Sequence, residues 1–302
     1  MYCYRLYGMR VRSDLEFPQL CEDGNTMAPE KEVRVHKMKE EDIQQFLREH
    51  GEQTGSALNT GKSYLCNTTM LMTVERGTDI RYCLRKGQKE AYLRTYLLGF
   101  GMAMLSLQRG MLPFHCSALE EPGGGAVLIA GESGAGKSTL TAGLMRQGYR
   151  FLADDMAVVD ISGLEPVVWP AFPYMKLCRD AAAGQGYDPE KLLWIDEKKD
   201  KFLVPCASGF RTDKRRLTRF LLLGKGGETV SVEKIGGTDR MIVYKENLFL
   251  RHLWKTKDPG AEVWQNCLKL AAMIPAYHIE RPTVGDSTAQ VAAEVHRLLG
   301  SA

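Results

Sequence analysis

The sequence predicts an α/β domain that follows a smaller, mostly β domain. Before about residue 85, short stretches of alternating polar and apolar residues are separated by polar turns, which is typical of strands. Further along the chain, apolar runs of strand length alternate with helical segments, which is typical of α/β folds. On this basis the 302 residues divide into a small β domain (1–87), a connecting helix (88–109) and a larger domain (110–302).

Hydrophobic periodicity predicts the individual elements. In the small domain it predicts strands at 4–11 and 32–36 and an amphipathic helix at 39–50. A longer helix, residues 88–108, joins the two domains. In the larger domain we expect strands at 126–130, 149–153, 217–223 and 241–244, and helices at 137–147 and 288–299.

Composition and charge are those of an ordinary globular protein. The residues are 44% hydrophobic and 25% charged, and a net charge of +3 is too small to indicate nucleic-acid binding. The eight cysteines show no compact spacing, so we expect free thiols in a cytoplasmic protein. No signal peptide is recognisable, and the longest apolar run, 96–107, is too short to cross a membrane.

The most specific motif is GESGAGKS at residues 131–138, which fits the phosphate-loop pattern G-x-x-x-x-G-K-[ST] in full. Glycines let backbone N–H groups approach an oligophosphate closely, while the lysine supplies a cation and the serine a magnesium ligand. The loop opens a predicted helix, so the positive end of the helix dipole faces the phosphates. We expect the following residues to bind ATP: Gly131, Ser133, Gly134, Ala135, Gly136, Lys137, Ser138 and Thr139.

Two adjacent aspartates, Asp154 and Asp155, directly follow the strand predicted at 149–153. In a parallel βαβ unit both strands end at the same edge of the sheet, so we expect these carboxylates beside the phosphates. Phosphoryl transfer needs a metal on the phosphate oxygens and a carboxylate that takes the proton of the attacking hydroxyl. We expect Ser138 and Asp154 to hold Mg²⁺ and Asp155 to face the acceptor, although the two aspartates can exchange roles. A simple turn is the structural alternative for this pair.

Residues 112–155 resemble the catalytic core of the HPr kinase/phosphorylase family. The likeness depends on His115, on the phosphate loop and on the sequence RFLADD at 150–155. It implies a fold related to ATP-dependent phosphoenolpyruvate carboxykinases and transfer of phosphate to a serine hydroxyl. It also implies that His115 lies near the aspartates and the γ-phosphate, whereas a lone histidine is otherwise more often structural.

The sequence also departs from that family. Thr139 stands where HPr kinases usually have glutamate, and their downstream signature for binding HPr is not found. The opening segment and residues 169–173 and 197–199 look more like the HPr-kinase-related proteins of lasso-peptide pathways. This branch implies a serine of a precursor peptide as the acceptor, and the hexamers of HPr kinases suggest a homo-oligomer.

A transferring phosphoryl group needs a second cation beyond Lys137. The resemblance favours Lys198 for this role, with Lys199 and Lys201 as close competitors, and a solvated charged loop is an equal alternative for this segment. Lys176 could face either the nucleotide or the peptide. A basic cluster could attract an acidic peptide, although a solvated basic face is the commoner explanation. Its members are Arg211, Lys214, Arg215, Arg216 and Arg219.

Together these features predict an ATP- and Mg²⁺-dependent serine kinase that acts on a peptide or small protein, with Asp155, Asp154, His115 and Lys198 as its catalytic residues. A kinase of free serine or of another small hydroxyl compound remains an alternative, because the loop and the aspartate pair would look the same. The other alternative is a regulatory module that binds a nucleotide without transferring phosphate. The sequence contains no [NT]-K-x-D segment and no L-S-G-G-Q signature, which speaks against a GTPase and a transport ATPase.

Overall fold

The computed structural model describes residues 1–24, 32–51, 53–59, 61–196, 200–206, 209–254 and 260–300. Within these ranges three β-sheets of eight, nine and three strands form a mixed α/β fold. None of the described helices is both long enough and apolar enough to span a bilayer. All eight cysteines are free thiols.

The first sheet contains the N-terminal strands in the order β3-β1-β2-β4-β8-β7-β6-β5. Its elements are β1 (Tyr2–Leu6), β2 (Met9–Ser13), β3 (Cys21–Glu22), β4 (Glu32–Lys37), α1 (Glu40–His50), β5 (Gly55–Ala57), β6 (Lys62–Cys66), β7 (Met70–Glu75) and β8 (Asp79–Leu84). The stretch predicted as one strand at 4–11 is a hairpin, because Tyr7 and Gly8 have positive φ angles and reverse the chain. The helix predicted at 39–50 is confirmed as α1.

The connecting helix is present as predicted, with a π-helical turn in its middle. It consists of α2 (Glu90–Tyr96), the π-turn Leu97–Gly101 and α3 (Met102–Gln108). Its buried side chains belong to one hydrophobic cluster that also contains Leu6 of the first sheet and Phe114 of the second. The helix therefore joins the two sheets through a continuous core.

The remaining elements form the second sheet, the small third sheet and the helices around them. They are β9 (Leu112–Phe114), β10 (Cys116–Glu120), β11 (Ala126–Gly131), α4 (Lys137–Arg146), β12 (Arg150–Ala153), β13 (Ala157–Asp160), β14 (Val167–Trp169), β15 (Tyr174–Cys178), α5 (Arg179–Gly184), β16 (Leu193–Asp196), β17 (Lys201–Pro205), β18 (Arg215–Lys225), β19 (Ser231–Ile235), α6 (Gly237–Glu246), α7 (Ala261–Met273), β20 (Ala276–Arg281) and α8 (Thr288–Gly300).

Strands β11 and β12 run in the same direction, but they are not neighbours. Strand β10 lies between them and is antiparallel to both, so a simple βαβ unit was the wrong expectation. The carboxyl ends of β11 and β12 nevertheless lie at the same edge of the sheet. Strand β18 pairs in parallel with β11 on its other side, and β20 pairs in parallel with β18. Four strand ends therefore meet at this edge.

The prediction of a strand at residues 241–244 is wrong, because these residues lie inside α6. A run of four apolar residues has no period that distinguishes a buried strand from one turn of a buried helix. Here Tyr244 is fully buried and donates its hydroxyl to the backbone oxygen of Ile274, while Ile242 on another face is exposed. Packing of α6 against α7 therefore decides the helical conformation.

Candidate active site

The phosphate loop, residues 131–138, connects the end of β11 to the start of α4. Gly131 has φ 146°, and a Cβ at this position would lie 2.3 Å from the carbonyl oxygen of Leu223 in β18. Gly136, the residue before the helix, has the left-handed φ of 102°. Both positions need glycine, because any side chain would strain the backbone or collide with the neighbouring strand.

Lys137 is the cation of the loop. Its Nζ donates to the backbone oxygens of Gly131 at 2.6 Å and Glu132 at 3.1 Å. Burial lowers the pKa of Lys137, and the nearby carboxylate of Asp154 opposes this effect. Ser138 and Thr139 follow in the first turn of α4, where uncapped backbone N–H groups favour an anion.

Asp154 and Asp155 follow β12 in a tight three-residue turn. The N–H of Met156 donates to the carbonyl oxygen of Asp154 at 2.8 Å, and Asp155 between them has φ 64°. A γ-turn with a positive φ at its central residue is rare and strained. The strain belongs to Asp155 itself, which is the kind of residue that functional sites hold in an unfavourable backbone conformation.

The turn directs the two carboxylates to different partners. One oxygen of Asp154 accepts a hydrogen bond from the Ser117 hydroxyl at 2.7 Å, and the other accepts one from the Lys176 backbone N–H at 2.9 Å. Asp155 instead forms an ion pair with the Lys176 ammonium at 2.7 Å. Asp155 lines the central cavity of the molecule, whereas Asp154 does not line it.

The charges around Asp155 determine its ionisation. Burial would raise its pKa, but the cations of Lys176 and Lys201 outweigh that effect and hold the pKa far below the ordinary value of an aspartate. The carboxylate is therefore ionised throughout the neutral pH range.

His115 lies between β9 and β10 and contacts the same turn. Its Nδ1 is 2.9 Å from the backbone oxygen of Asp155 and 3.9 Å from the nearer carboxylate oxygen. Because a carbonyl oxygen can only accept, Nδ1 carries the proton and Nε2 is the free acceptor in the neutral ring. Burial lowers the pKa of His115, while Asp155 opposes the shift. The neutral imidazole is thus the form present at pH 7.5.

The third sheet supplies two cations beside Asp155. Lys176 in β15 pairs with Leu203, and Lys201 at the start of β17 pairs with Cys178, so the two lysines are diagonal neighbours on one face. Both line the cavity. Lys198 and Lys199, two of the three candidates for the second cation, lie outside the described residues, and Lys201 is the candidate that the structure brings to the site.

A cavity of about 970 Å³ joins these features. Residues of the phosphate loop line it together with His115, Asp155, Lys176 and Lys201, which we call the Asp155 cluster. The aromatic part of the cavity consists of Thr95, Phe100, Phe249, Arg251 and His252, with Phe100 packed edge-to-face against Phe249 and His252. The cavity thus contains the carboxylate of Asp155, residues of the phosphate loop and a group of aromatic side chains.

Two cations beside the loop were missed by sequence reasoning. Lys225 and Arg281 end the parallel strands β18 and β20 and are direct register partners. The Arg281 Nε donates to the backbone oxygen of Ala135 at 2.7 Å, and the Lys225 Nζ lies 3.9 Å from the position of a Cβ on Gly134. Sequence reasoning could have found Lys225, because it directly follows the strand predicted at 217–223, which runs toward the same edge as the loop.

The basic cluster of the sequence is occupied by internal ion pairs. Arg211 and Arg215 both contact the buried carboxylate of Glu120, and Arg219 lies 3.9 Å from Glu121. Arg216 pairs with Glu165 at 2.9 Å, and Lys214 lies over the ring of Trp169. None of these five residues lines the central cavity.

Among the described residues, no group of three or more histidine, cysteine, aspartate or glutamate side chains forms a metal cluster. A magnesium ion bound with a nucleotide needs fewer protein ligands, because phosphate oxygens and water complete its octahedral shell. Ser138 in the first turn of α4 and Asp154, whose oxygens keep free lone pairs, fit that smaller role.

Solved structures show similarity to this chain, whereas the sequence comparisons do not. No protein-family model matches this chain, and a search of curated proteins finds no match. A structure of the HPr(Ser) kinase/phosphatase from Coxiella burnetii is similar over 63% of this chain and 99% of that chain, with 14% sequence identity and a TM-score of 0.33. A similarity this low does not define the fold, so a function must be inferred from the cavity residues themselves.

Proposed function

We propose that this chain is an ATP- and Mg²⁺-dependent serine kinase whose acceptor is a peptide or small protein. The observation that carries the proposal is the common cavity of the phosphate loop and Asp155. A glycine loop at a helix N-terminus binds the phosphates, and an ionised carboxylate that opens into the same space can orient a hydroxyl.

The proposed reaction assigns each group a role. Lys137 exchanges its two carbonyl contacts for oxygens of the β- and γ-phosphates, and the loop N–H groups bind the same oxygens. Ser138 and Asp154 would hold magnesium, which would supply positive charge to neutralise the phosphates. Asp155 accepts the proton of the serine hydroxyl as the oxygen attacks the γ-phosphorus, and the bond to the β-phosphate oxygen breaks to release ADP.

The low pKa of Asp155 is compatible with this role. A carboxylate that is strongly stabilised as an anion is a weak base, but a loose phosphoryl-transfer transition state needs proton removal only late. Lys176 and Lys201 offset the charge that develops on the transferring group. Of the three lysines that the sequence offers for the second cation, Lys201 is the one described by the structure, and it lines the cavity, so we assign it this role.

The aromatic part of the cavity supports a peptide acceptor. Sites for small molecules typically measure about 300–1,000 Å³. At about 970 Å³ this cavity has room for a second substrate beside the nucleotide. The aromatic side chains Phe100 and Phe249 line the same cavity as Asp155, and Phe249 packs against His115, so we propose that residues next to the phosphorylated serine pack there. A serine of a ribosomal precursor peptide is the acceptor that we favour.

The test is phosphate transfer from labelled ATP to serine peptides, with free serine as a parallel acceptor. Asp155→Asn should lower kcat by about 10³-fold, since it removes the proposed proton acceptor and keeps the size of the side chain. The matched control is Asp239→Asn, an exposed aspartate in α6 that lies away from the cavity. Equal rates for wild type and Asp155→Asn would refute the assigned base, and tight nucleotide binding without any transfer would leave a nucleotide-binding module.

A further inference from the structure

The turn between β1 and β2 of the N-terminal sheet contacts the turn Asp154–Met156, which follows β12 in the second sheet and which we call the catalytic turn. Tyr7 and Gly8 form this two-residue turn with φ values of 49° and 71°. Two positive φ angles are typical of a type I′ hairpin turn, in which asparagine and glycine are the usual residues. A bulky tyrosine in the left-handed region is unfavourable, so contacts elsewhere must stabilise it here.

Those contacts are with the segments around Asp155. Tyr7 is 2% exposed, and its backbone N–H donates to the Pro170 oxygen at 3.1 Å. Its hydroxyl donates to the backbone oxygen of Met156 at 3.2 Å. Gly8 permits this approach, because a Cβ on it would lie 2.5 Å from the ring of Trp169. The hairpin turn is therefore packed directly against the catalytic turn.

The hydroxyl of Tyr7 keeps its proton at neutral pH and is therefore a hydrogen-bond donor. Burial raises its pKa, and the nearby charge of Asp155 raises it further. Met156, whose carbonyl accepts the bond, is the closing residue of the γ-turn that has Asp155 at its centre. His115 holds the other carbonyl of the turn, that of Asp155 itself. Two hydrogen bonds thus restrain consecutive peptide groups of a strained turn.

We infer that Tyr7 is a positioning residue: through Met156 it keeps the Asp155 carboxylate in the cavity, and so the N-terminal sheet takes part in catalysis. The inference rests on the proposed kinase activity for its kinetic consequence. Its physical basis is independent of that activity, since a γ-turn with positive φ relaxes toward a common backbone conformation when a restraint is removed. Relaxation would move the carboxylate relative to the phosphate loop.

The experiment compares Tyr7→Phe with Tyr4→Phe. Tyr4 lies in β1, directly before the turn that contains Tyr7, and is also buried. It accepts a hydrogen bond from the Phe17 N–H at 2.9 Å, so both variants lose one buried hydroxyl and leave one polar group unpaired. Both keep the aromatic ring and its packing. Only Tyr7 contacts the catalytic turn, so only Tyr7→Phe should affect the chemical step.

We expect kcat to fall about tenfold in Tyr7→Phe with KM for ATP unchanged, and to change less than twofold in Tyr4→Phe, because a displaced catalytic group costs transition-state stabilisation but not nucleotide binding. Hydrogen exchange at the Met156 N–H gives a second readout that needs no substrate. It should become about tenfold faster in Tyr7→Phe only.

Equal kcat values in the two variants, or equal exchange at Met156, would overturn the inference. A wild-type protein that transfers no phosphate to any serine would refute the proposed function instead, and the exchange comparison would still decide whether Tyr7 restrains the turn. The two failures are therefore distinguishable.

Discussion

The phosphate-loop wall of the cavity is one continuous segment, whereas the wall around Asp155 is assembled from segments far apart in the chain. Residues 131–138 fit a motif that binds phosphate through consecutive backbone groups, which must be adjacent in sequence. The Asp155 cluster comes from the second and third sheets, and Tyr7 comes from the turn between β1 and β2 of the first sheet. The first wall is thus readable as a motif, while the second depends on strand pairing. Substitutions on the two walls should differ in the kinetic constant that they change.

After Asp155→Asn, the largest effect on the Asp155 wall is expected for Lys176→Met. This change leaves the largely buried Asp155 carboxylate without its ion-pair partner at 2.7 Å, and kcat should fall about 100-fold. The pKa of Asp155 should rise, so the acid limb of the kcat profile should lie at higher pH than in the wild type. Lys191→Met, which removes an exposed lysine near Asp188, is the control. A change in KM for ATP alone would contradict the assignment of Lys176 to the Asp155 wall.

Arg215→Met tests whether the basic cluster outside the cavity is structural. It removes one of two guanidinium groups on the buried Glu120 and should lower the free energy of unfolding by about 2 kcal/mol. Chemical denaturation measures that loss, and KM for an acidic peptide should stay constant. Arg216→Met, which breaks an exposed pair with Glu165, should cost less than about 0.5 kcal/mol. A rise in peptide KM without loss of stability would instead make this cluster a docking surface.

Lys225→Met tests whether Lys225 belongs to the phosphate-loop wall. If its ammonium contacts the nucleotide phosphates, KM for ATP should rise about fivefold to tenfold with kcat nearly constant, because the interaction is made in the ground state and the transition state alike. The effect should shrink at high salt. Lys234→Met in β19 is a matched exposed lysine at which no change is expected. A loss in kcat of the same size would place Lys225 with the Asp155 wall.

The smallest effect concerns pH and His115. Because burial lowers its pKa below the ordinary value of about 6.5, His115 gains a proton only as the pH falls below that value. The added positive charge beside Asp155 makes the carboxylate a weaker base, so kcat should decrease about twofold to threefold between pH 7.5 and 5.5. The folded protein should lose stability in the same direction, since it binds the proton less readily than the unfolded chain. In His115→Asn this part of the profile should be flat, and an unchanged acid limb would exclude His115 as its origin.

Local signals predicted the pieces of the fold better than their arrangement. The helices at 39–50, 137–147 and 288–299 were recognisable because each has an apolar face at helical spacing or a clear end, and the connecting helix because of its length. The segment 241–244 was misassigned, because a short apolar run fits a strand and a helix equally well. Strand β10 was not expected between β11 and β12, because an apolar run does not indicate which strands it pairs with. Asp154 and Asp155 could be expected near the loop only because the direction of β12 was inferred correctly.

By itself, the sequence determined the phosphate loop and the aspartate pair, since both depend on residues that are adjacent in the chain and on backbone conformations that glycine or a strand end allows. Only the tertiary structure decided which aspartate faces the cavity, which lysines accompany it, and that a tyrosine of the N-terminal sheet restrains its turn. The physical reason is that hydrogen bonds and ion pairs between distant segments depend on strand order and register, which no local pattern encodes.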